Sequence, residues 1–250
     1  MTRREREAGI LKSLVVGAAL MAGLVAPAYA QDTKLTLSGS ASFTTNYEFR
    51  SVSNSSNDPA VQPEFDLGYG MFWAYMWGSN TAFGDHIEID YGAGISPKWH
   101  DFTFTVGGLE YTYPGKDSST DYFELKTAIA WASGPWSIGL YNYWSPNNFA
   151  LDTESDAVEG DVGYTFANWK IWNFFTPSIS GAVGSQMYQD QNVVPNYIYW
   201  NAGLTLGFMD HWSADVRYYD TDYSKADCFI NSGARDNCDA TVVGTIKATF

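Results

Sequence analysis

From Leu35 to Phe49 the chain alternates with a period of two. Leu35, Leu37, Gly39, Ala41, Phe43, Thr45, Tyr47 and Phe49 fall on one side of an extended chain. Thr36, Ser38, Ser40, Ser42, Thr44, Asn46 and Glu48, followed by Arg50, fall on the other. Successive side chains of a strand point to opposite faces, so the stretch predicts one mostly apolar and one polar face. It is 15 residues long, against roughly 5–6 for an ordinary strand and about 9–11 for one crossing a bilayer at a tilt.

The same period returns along the chain. Pro63–Trp77 carries Phe65, Leu67, Tyr69, Met71, Trp73, Tyr75 and Trp77 in phase, and His86–Ser96 sets Ile87, Ile89, Tyr91, Ala93 and Ile95 against polar or small residues. Asp101–Tyr113 alternates too, but its apolar phase moves from Phe102, Phe104 and Val106 to Leu109, Tyr111 and Tyr113 across Gly107-Gly108, which predicts a β-bulge. Tyr122–Ala132 with Trp136–Trp144, Val158–Ala167 with Phe175–Tyr188, and Tyr197–Phe208 with Trp212–Asp222 read as strand pairs, and Asp239–Phe250 is the last strand. Ser51–Gln62, with Asn54, Asn57, Asp58 and Pro59, reads as a loop.

No stretch offers the roughly 18 consecutive apolar residues of a spanning helix beyond the N-terminal segment. A β-structure in lipid must close on itself to pair every backbone group. The expected fold is therefore all-β, a closed antiparallel transmembrane β-barrel of about 12 strands. Eleven strands are read directly. Connections counted back from the C-terminus alternate long and short, and the alternation is kept by a tight turn at Gly68-Tyr69-Gly70 inside Pro63–Trp77. That split gives an even number, both termini on the periplasmic side and six long loops outside. Trp99, Trp136, Trp169, Trp172 and Trp212 flank the short connections, and Tyr113, Tyr122, Tyr188, Tyr197 and Tyr223 the long ones, which predicts an aromatic girdle at each membrane–water boundary. In the last strand Val242, Gly244, Ile246, Ala248 and Phe250 face one way, an alternation ending on an aromatic like the assembly signal of outer-membrane barrels. Its reader would be the barrel-assembly machinery, and the barrel's surroundings the outer-membrane bilayer.

Composition fits that surface. Aromatic residues make up 17% of the 250 residues and charged residues another 17%, against a usual charged share of about 25%. The net charge of −14 argues against nucleic acid as a partner. Residues 1–30 read as a cleaved export signal, leaving 31–250 as one barrel domain. Arg3, Arg4, Arg6 and Lys12 precede the apolar run Leu14–Val25, and Ala28-Tyr29-Ala30 has the small-x-small cleavage pattern. The run is too short for a membrane anchor.

The only cysteines, Cys228 and Cys238, lie in the longest external loop, and export through an oxidising compartment favours a disulfide. A metal pair there lacks companion ligands. His86, Glu88 and Asp90 share a strand face and could hold a cation, as could Asp152, Glu154 and Asp156 in their loop for calcium, but polar lumen and solvated loop are the commoner roles. No metal site or cofactor is assigned. With three histidines and no G-x-S-x-G element, the chain reads as no enzyme, and a membrane-embedded hydrolase is the least favoured class. The inward set is Glu48, Arg50, Glu64, Asp66, Glu88, Asp90 and Glu124, continuing with Lys126, Glu159, Asp161, Asp215, Arg217 and Lys247. Buried charges must pair or meet water, so the lumen is a hydrated channel or a salt-bridged plug. If the lumen is open, the expected role is a channel for ions or small polar solutes, and its acidic excess favours cations.

Asn46-Tyr47-Glu48-Phe49-Arg50, then Ser53, Ser55 and Asp58-Pro59-Ala60-Val61-Gln62 with Phe65-Asp66, resemble the N-terminal signature of the TorF family of porins. Trp77-Gly78-Ser79-Asn80, Phe83-Gly84, Glu88-Ile89-Asp90, Tyr111-Thr112-Tyr113-Pro114-Gly115 and the late cysteine pair are similar to that family as well. Its usual Arg-Gly-Ile-Ser-Gln-Ser reads Arg50-Ser51-Val52-Ser53-Asn54-Ser55 here, without the Gly and the Gln. The resemblance implies an outer-membrane barrel and, through "porin", a channel with no solute attached. The alternative is a closed barrel with a structural or recognition role carried by its loops.

Overall fold

The computed structural model describes residues 34–84, 86–115, 120–149, 151 and 153–250; the expected leader lies outside them. Its strands are β1 (Leu35–Thr44), β2 (Glu48–Phe49), β3 (Val52–Ser53), β4 (Ala60–Tyr69), β5 (Phe72–Asn80), β6 (Ile87–Ile95) and β7 (Lys98–Trp99). They continue as β8 (Phe102–Thr112), β9 (Tyr122–Ser133), β10 (Trp136–Ser145), β11 (Ser155–Thr165), β12 (Thr176–Tyr188), β13 (Tyr197–Phe208), β14 (Trp212–Thr221) and β15 (Thr241–Thr249). One helix, α1 (Lys225–Ser232), is described, capped by Ser224 and by Gly233 in the left-handed conformation.

Each wall strand pairs antiparallel with its neighbours in sequence, apart from the two-residue pieces β2, β3 and β7. The first and last strands close the ring through Ser40↔Thr249 to Thr44↔Thr245. Phe250 extends that seam, exchanging backbone hydrogen bonds with Gly39 in both directions at 2.9 Å. Among the described residues this is a closed 12-stranded barrel. No helix in it is long and apolar enough to cross a membrane. Polar backbone groups are thus paired around the whole circumference, as lipid requires.

The period-of-two signal sorts the side chains as expected. On β1 Leu35, Leu37 and Phe43 are exposed on the outer face while Ser40, Ser42 and Thr44 are buried inside. On β15 Val242, Ile246 and the following Phe250 face outward. The tight turn that makes the strand number even is present but lies at Gly70-Met71 rather than Gly68-Tyr69-Gly70, since Gly68 and Tyr69 still pair, with Trp73 and Phe72, and Gly70 takes φ +60°. A positive φ at the first central position of a two-residue hairpin is the conformation glycine adopts freely.

Three expectations are corrected. The opening strand ends at Thr44, not Phe49, because the chain there turns into the barrel. The bulge at Gly107-Gly108 is absent: β8 keeps an unbroken register with β6 from Ile95↔Val106 to Ile89↔Thr112 and with β9 from Phe102↔Trp131 to Tyr111↔Tyr122. The apolar phase changes because Leu109, Tyr111 and Tyr113 are buried inside, whereas Phe104 and Val106 face out. The tyrosine girdle fails for the same reason: Tyr113, Tyr122, Tyr188 and Tyr197 are buried in the lumen rather than set in the outer boundary. The tryptophans at the opposite end, Trp99, Trp136, Trp169, Trp172 and Trp212, are exposed as expected.

Candidate functional site

The outer half of the lumen is built around the segment 45–59. After Thr44, Asn46 organises the chain. Its Oδ1 accepts from the hydroxyls of Ser53 (2.7 Å) and Ser55 (2.9 Å), and its Nδ2 donates to Glu48 Oε1 (2.7 Å) and Asn57 Oδ1 (3.0 Å). The Tyr47 amide donates to the Ser55 hydroxyl, and the Asn54 amide returns to the Tyr47 carbonyl. This side-chain network takes over from the barrel ladder and folds the loop inward. Its inner limb is the hairpin β2–β3, paired Glu48↔Ser53 and Phe49↔Val52.

The hairpin turns over Arg50 and Ser51, at φ +51° and +57°. Consecutive left-handed residues in a two-residue turn are ordinarily Asn-Gly, and a side chain there costs on the order of 1 kcal/mol per residue. The cost is borne at a tip that spans the lumen. Arg50 Nη2 donates to Glu124 Oε2 on β9 (2.8 Å) and Nη1 to Gln186 Oε1 on β12 (2.7 Å). The guanidinium also lies 4.7 Å from the Phe49 ring centre and 5.0 Å from that of Tyr143 on β10. The Ser51 hydroxyl donates to the Trp200 carbonyl on β13 (3.1 Å), and the Tyr111 hydroxyl adds a second donor to Glu124 Oε2 (3.0 Å). Glu48, two residues before Arg50 on β2, has its Oε2 buried and unbonded; burial pushes its carboxyl up to about 8.

Two outer loops hold the stem. The Ser53 amide donates to the Asn237 carbonyl (2.7 Å), Asn57 Nδ2 to the Asp236 carbonyl (3.4 Å), and the Ala82 amide to the Asn54 carbonyl (2.8 Å). Asn237 belongs to the loop closed by the Cys228–Cys238 disulfide.

All the expected inward residues on the wall strands lie on its inner face. Arg217 donates to Asn201 Oδ1 (2.8 Å), Ser180 Oγ (2.8 Å) and Asp215 Oδ2 (3.2 Å), and Thr205 also donates to that Asp215 oxygen (2.6 Å). Lys247 reaches Glu64 Oε2 at 3.5 Å, with Asp66 the next inward residue on β4. Glu88 accepts from the Tyr113 hydroxyl (3.1 Å), and Asp90 is buried beside it on β6. Lys126 holds its ammonium 5.5 and 5.4 Å from the Tyr141 and Tyr143 rings, and Glu159 and Asp161 line β11. Glu48 and Arg50 are inward too, but from the inserted hairpin rather than from a wall strand.

His86 is not gathered into a set with Glu88 and Asp90: its ring Nδ1 lies 3.2 Å from the Thr81 carbonyl in the preceding turn. Of the calcium candidates Asp152 lies outside the described residues, Glu154 accepts from Trp144 Nε1 and Asp156 from Asn142. Among the described residues no three His, Cys, Asp or Glu converge to hold a metal. The inward tyrosines and Gln186 were not among the expected site residues. The change of apolar phase on β8 is the sequence signal that marks the tyrosines; nothing in the pattern marks Gln186.

Solved structures with this fold include a KdgM porin, 9% identical with a TM-score of 0.56 over 85% of this chain and 99% of that one. The KdgM porin in complex with disordered oligogalacturonate gives 9%, 0.55, 86% and 99% in the same order. A NanC porin gives 15%, 0.49, 86% and 98%. No curated protein matches the chain by sequence. A family described as bacterial protein of unknown function (Gcw_chp) matches residues 28–250, and the chain belongs to it.

Proposed function

We propose that the chain is an outer-membrane channel for ions or small polar solutes, with the inserted loop 45–59 as the constriction of its outer half. The observation that carries this reading is the inner face itself. Apart from Trp73, Leu109 and the tyrosines packed around the inserted loop, it is polar and charged from Ser40 and Glu64 to Arg217 and Lys247, where a barrel filled only for stability would bury apolar side chains throughout. Its carboxylates outnumber its cations, which favours cationic cargo. The KdgM relative was solved with oligogalacturonate, a polyanion; an acidic lumen should disfavour such a solute. Export by a leader at 1–30, delivery by the barrel-assembly machinery through Val242–Phe250, and membership of the TorF group, supported by Asn46–Arg50 and Asp58–Gln62, complete the proposal.

The test is a planar-bilayer recording of refolded 31–250. We expect conductance that rises on deletion of 46–57 and selects K⁺ over Cl⁻. The second reading, a closed barrel acting through its loops, is favoured by one observation: Arg50 bridges the lumen to two wall strands. Absence of conductance in both proteins would establish it, and anion preference would remove the cation assignment.

A further inference from the structure

We propose that the seat of the Arg50 guanidinium is a cation-binding site of the lumen, that Arg50 is its tethered occupant, and that organic cations bearing a guanidinium or amine compete for it. The inference deepens the channel reading and rests on it for transport, though not for binding.

Three wall strands supply the seat, and the loop supplies only its own Phe49 ring. Glu124 on β9 brings a carboxylate, Gln186 on β12 an amide oxygen, and Tyr143 on β10 a ring face. A planar cation with several donors fits that set: two in-plane acceptors in different directions and a ring alongside. The acceptors are built for it. Glu124 is fully buried; its Oε2 takes the Arg50 and Tyr111 donors, and its Oε1 is buried without a partner. Gln186 is 1% exposed and offers its oxygen to Arg50 while its Nε2 is left unbonded. Lys126, the next inward residue of β9, directs its ammonium towards the Tyr141 and Tyr143 rings.

Because the seat belongs to the wall, it persists when the loop leaves, and Glu124 then loses its ion pair with Arg50, keeps Lys126 as the neighbouring cation on β9, and draws a second cation to the vacated seat. The occupant is held in a way that permits exchange. Arg50 and Ser51 sit in the left-handed region, as do Ser56 and Asn57 at the other end of the loop. Such strain persists only while surrounding contacts impose it, and it is released when they are lost. Those contacts are polar at the tip and stem, namely the two Arg50 bonds, the Ser51 bond and the stem bonds to Asn237, Asp236 and Ala82, and apolar between them, where Phe49 packs on Tyr111 and Val52 on Tyr188, Tyr197 and Tyr199. A solute that reproduces the guanidinium takes the place of Arg50 and frees the tip of the constriction.

The test uses the refolded barrel 31–250, wild type, R50A and R50A/E124Q, titrated calorimetrically with methylguanidinium, with acetate as the control for charge. We expect R50A to bind methylguanidinium at least about tenfold more tightly than wild type, E124Q to remove that gain, and acetate to bind none of them. In bilayers methylguanidinium should block the K⁺ current of R50A and not that of R50A/E124Q. A folded R50A that binds no better than wild type, or equal binding by R50A and R50A/E124Q, overturns the proposal. Binding by R50A with no conductance in any variant leaves the cation site standing and removes the channel reading. Should R50A fail to give the heat-modifiable band of a folded barrel, R50Q keeps hydrogen-bonding capacity without the charge and is judged by the same criteria.

Discussion

At the scale of single residues, the inserted loop carries a titration that should be visible in stability. Glu48 Oε1 accepts one hydrogen bond from Asn46, Oε2 has none, and burial lifts the carboxyl to about 8. Unfolded, the same group titrates near the ordinary glutamate value of about 4.3. Between those two values the folded state binds the proton and the unfolded state has lost it, so stability falls as pH rises through the window and levels off above about 8. The expected outcome is a urea midpoint, measured in micelles, that declines from pH 5 to pH 8 in wild type and declines less in Glu48→Gln, the amide being unable to ionise. Equal slopes would show that the carboxyl is hydrated in solution. The loop's sequence matches this wet-and-dry character. A glycine at position 51 would accept the left-handed turn at lower cost, and the Ser51 hydroxyl gains the Trp200 carbonyl in exchange.

At the scale of elements, the hairpin and the disulfide loop act on each other. The Ser53 amide is bonded to Asn237, one residue before Cys238, and Thr221 Oγ1 lies 3.5 Å from the Cys238 carbonyl on the other side. Opening the Cys228–Cys238 ring returns chain entropy to that loop, about 2–3 kcal/mol for a ring of this size. In C228A/C238A the Ser53 amide should therefore exchange with deuterium at least about tenfold faster, with the amides of β12 and β13 unchanged. Unchanged protection at Ser53 would mean the stem is held by Asn46 and its partners alone. The wall strands and the twelve-fold count were legible because lipid on one side and polar groups on the other impose a strict alternation, as on β1, β6 and β15. The hairpin was not. Its alternation continues in phase past Thr44 to Phe49, and only the partners of Arg50, 74 and 136 residues away, reveal that the chain has left the wall. The lumenal tyrosines were misread on the same ground. An aromatic near a strand end suits a membrane boundary and a packed loop equally well, and only the parity of Leu109, Tyr111 and Tyr113 separates the two.

For the whole molecule, the barrel uses its aromatics on two faces at one depth, and that separation can be measured. Trp136 and Trp212 follow short connections and are 48% and 41% exposed on the outer face. Trp73 lies as near its own short turn, two residues beyond Met71, yet is only 9% exposed. It lies flat against the inner wall because Gly94 and Gly107 leave room: a Cβ at either would come within 2.6 and 2.4 Å of its ring. Interfacial tryptophans gain from contact with headgroups and acyl chains together, whereas Trp73 meets only protein and lumen. In vesicles of lipid brominated on the acyl carbons nearest the headgroup, single-tryptophan variants retaining Trp136 or Trp212 should be strongly quenched. The variant retaining Trp73 should not be, while aqueous acrylamide admitted through the lumen tests its other side. Bromine quenching of Trp73 equal to that of Trp136 would place that wall segment the other way round, and with it the inner face of β4 to β6 that carries Glu64, Asp66, Glu88 and Asp90. Selective quenching fixes those carboxylates in the lumen, where they set the charge that any entering solute meets.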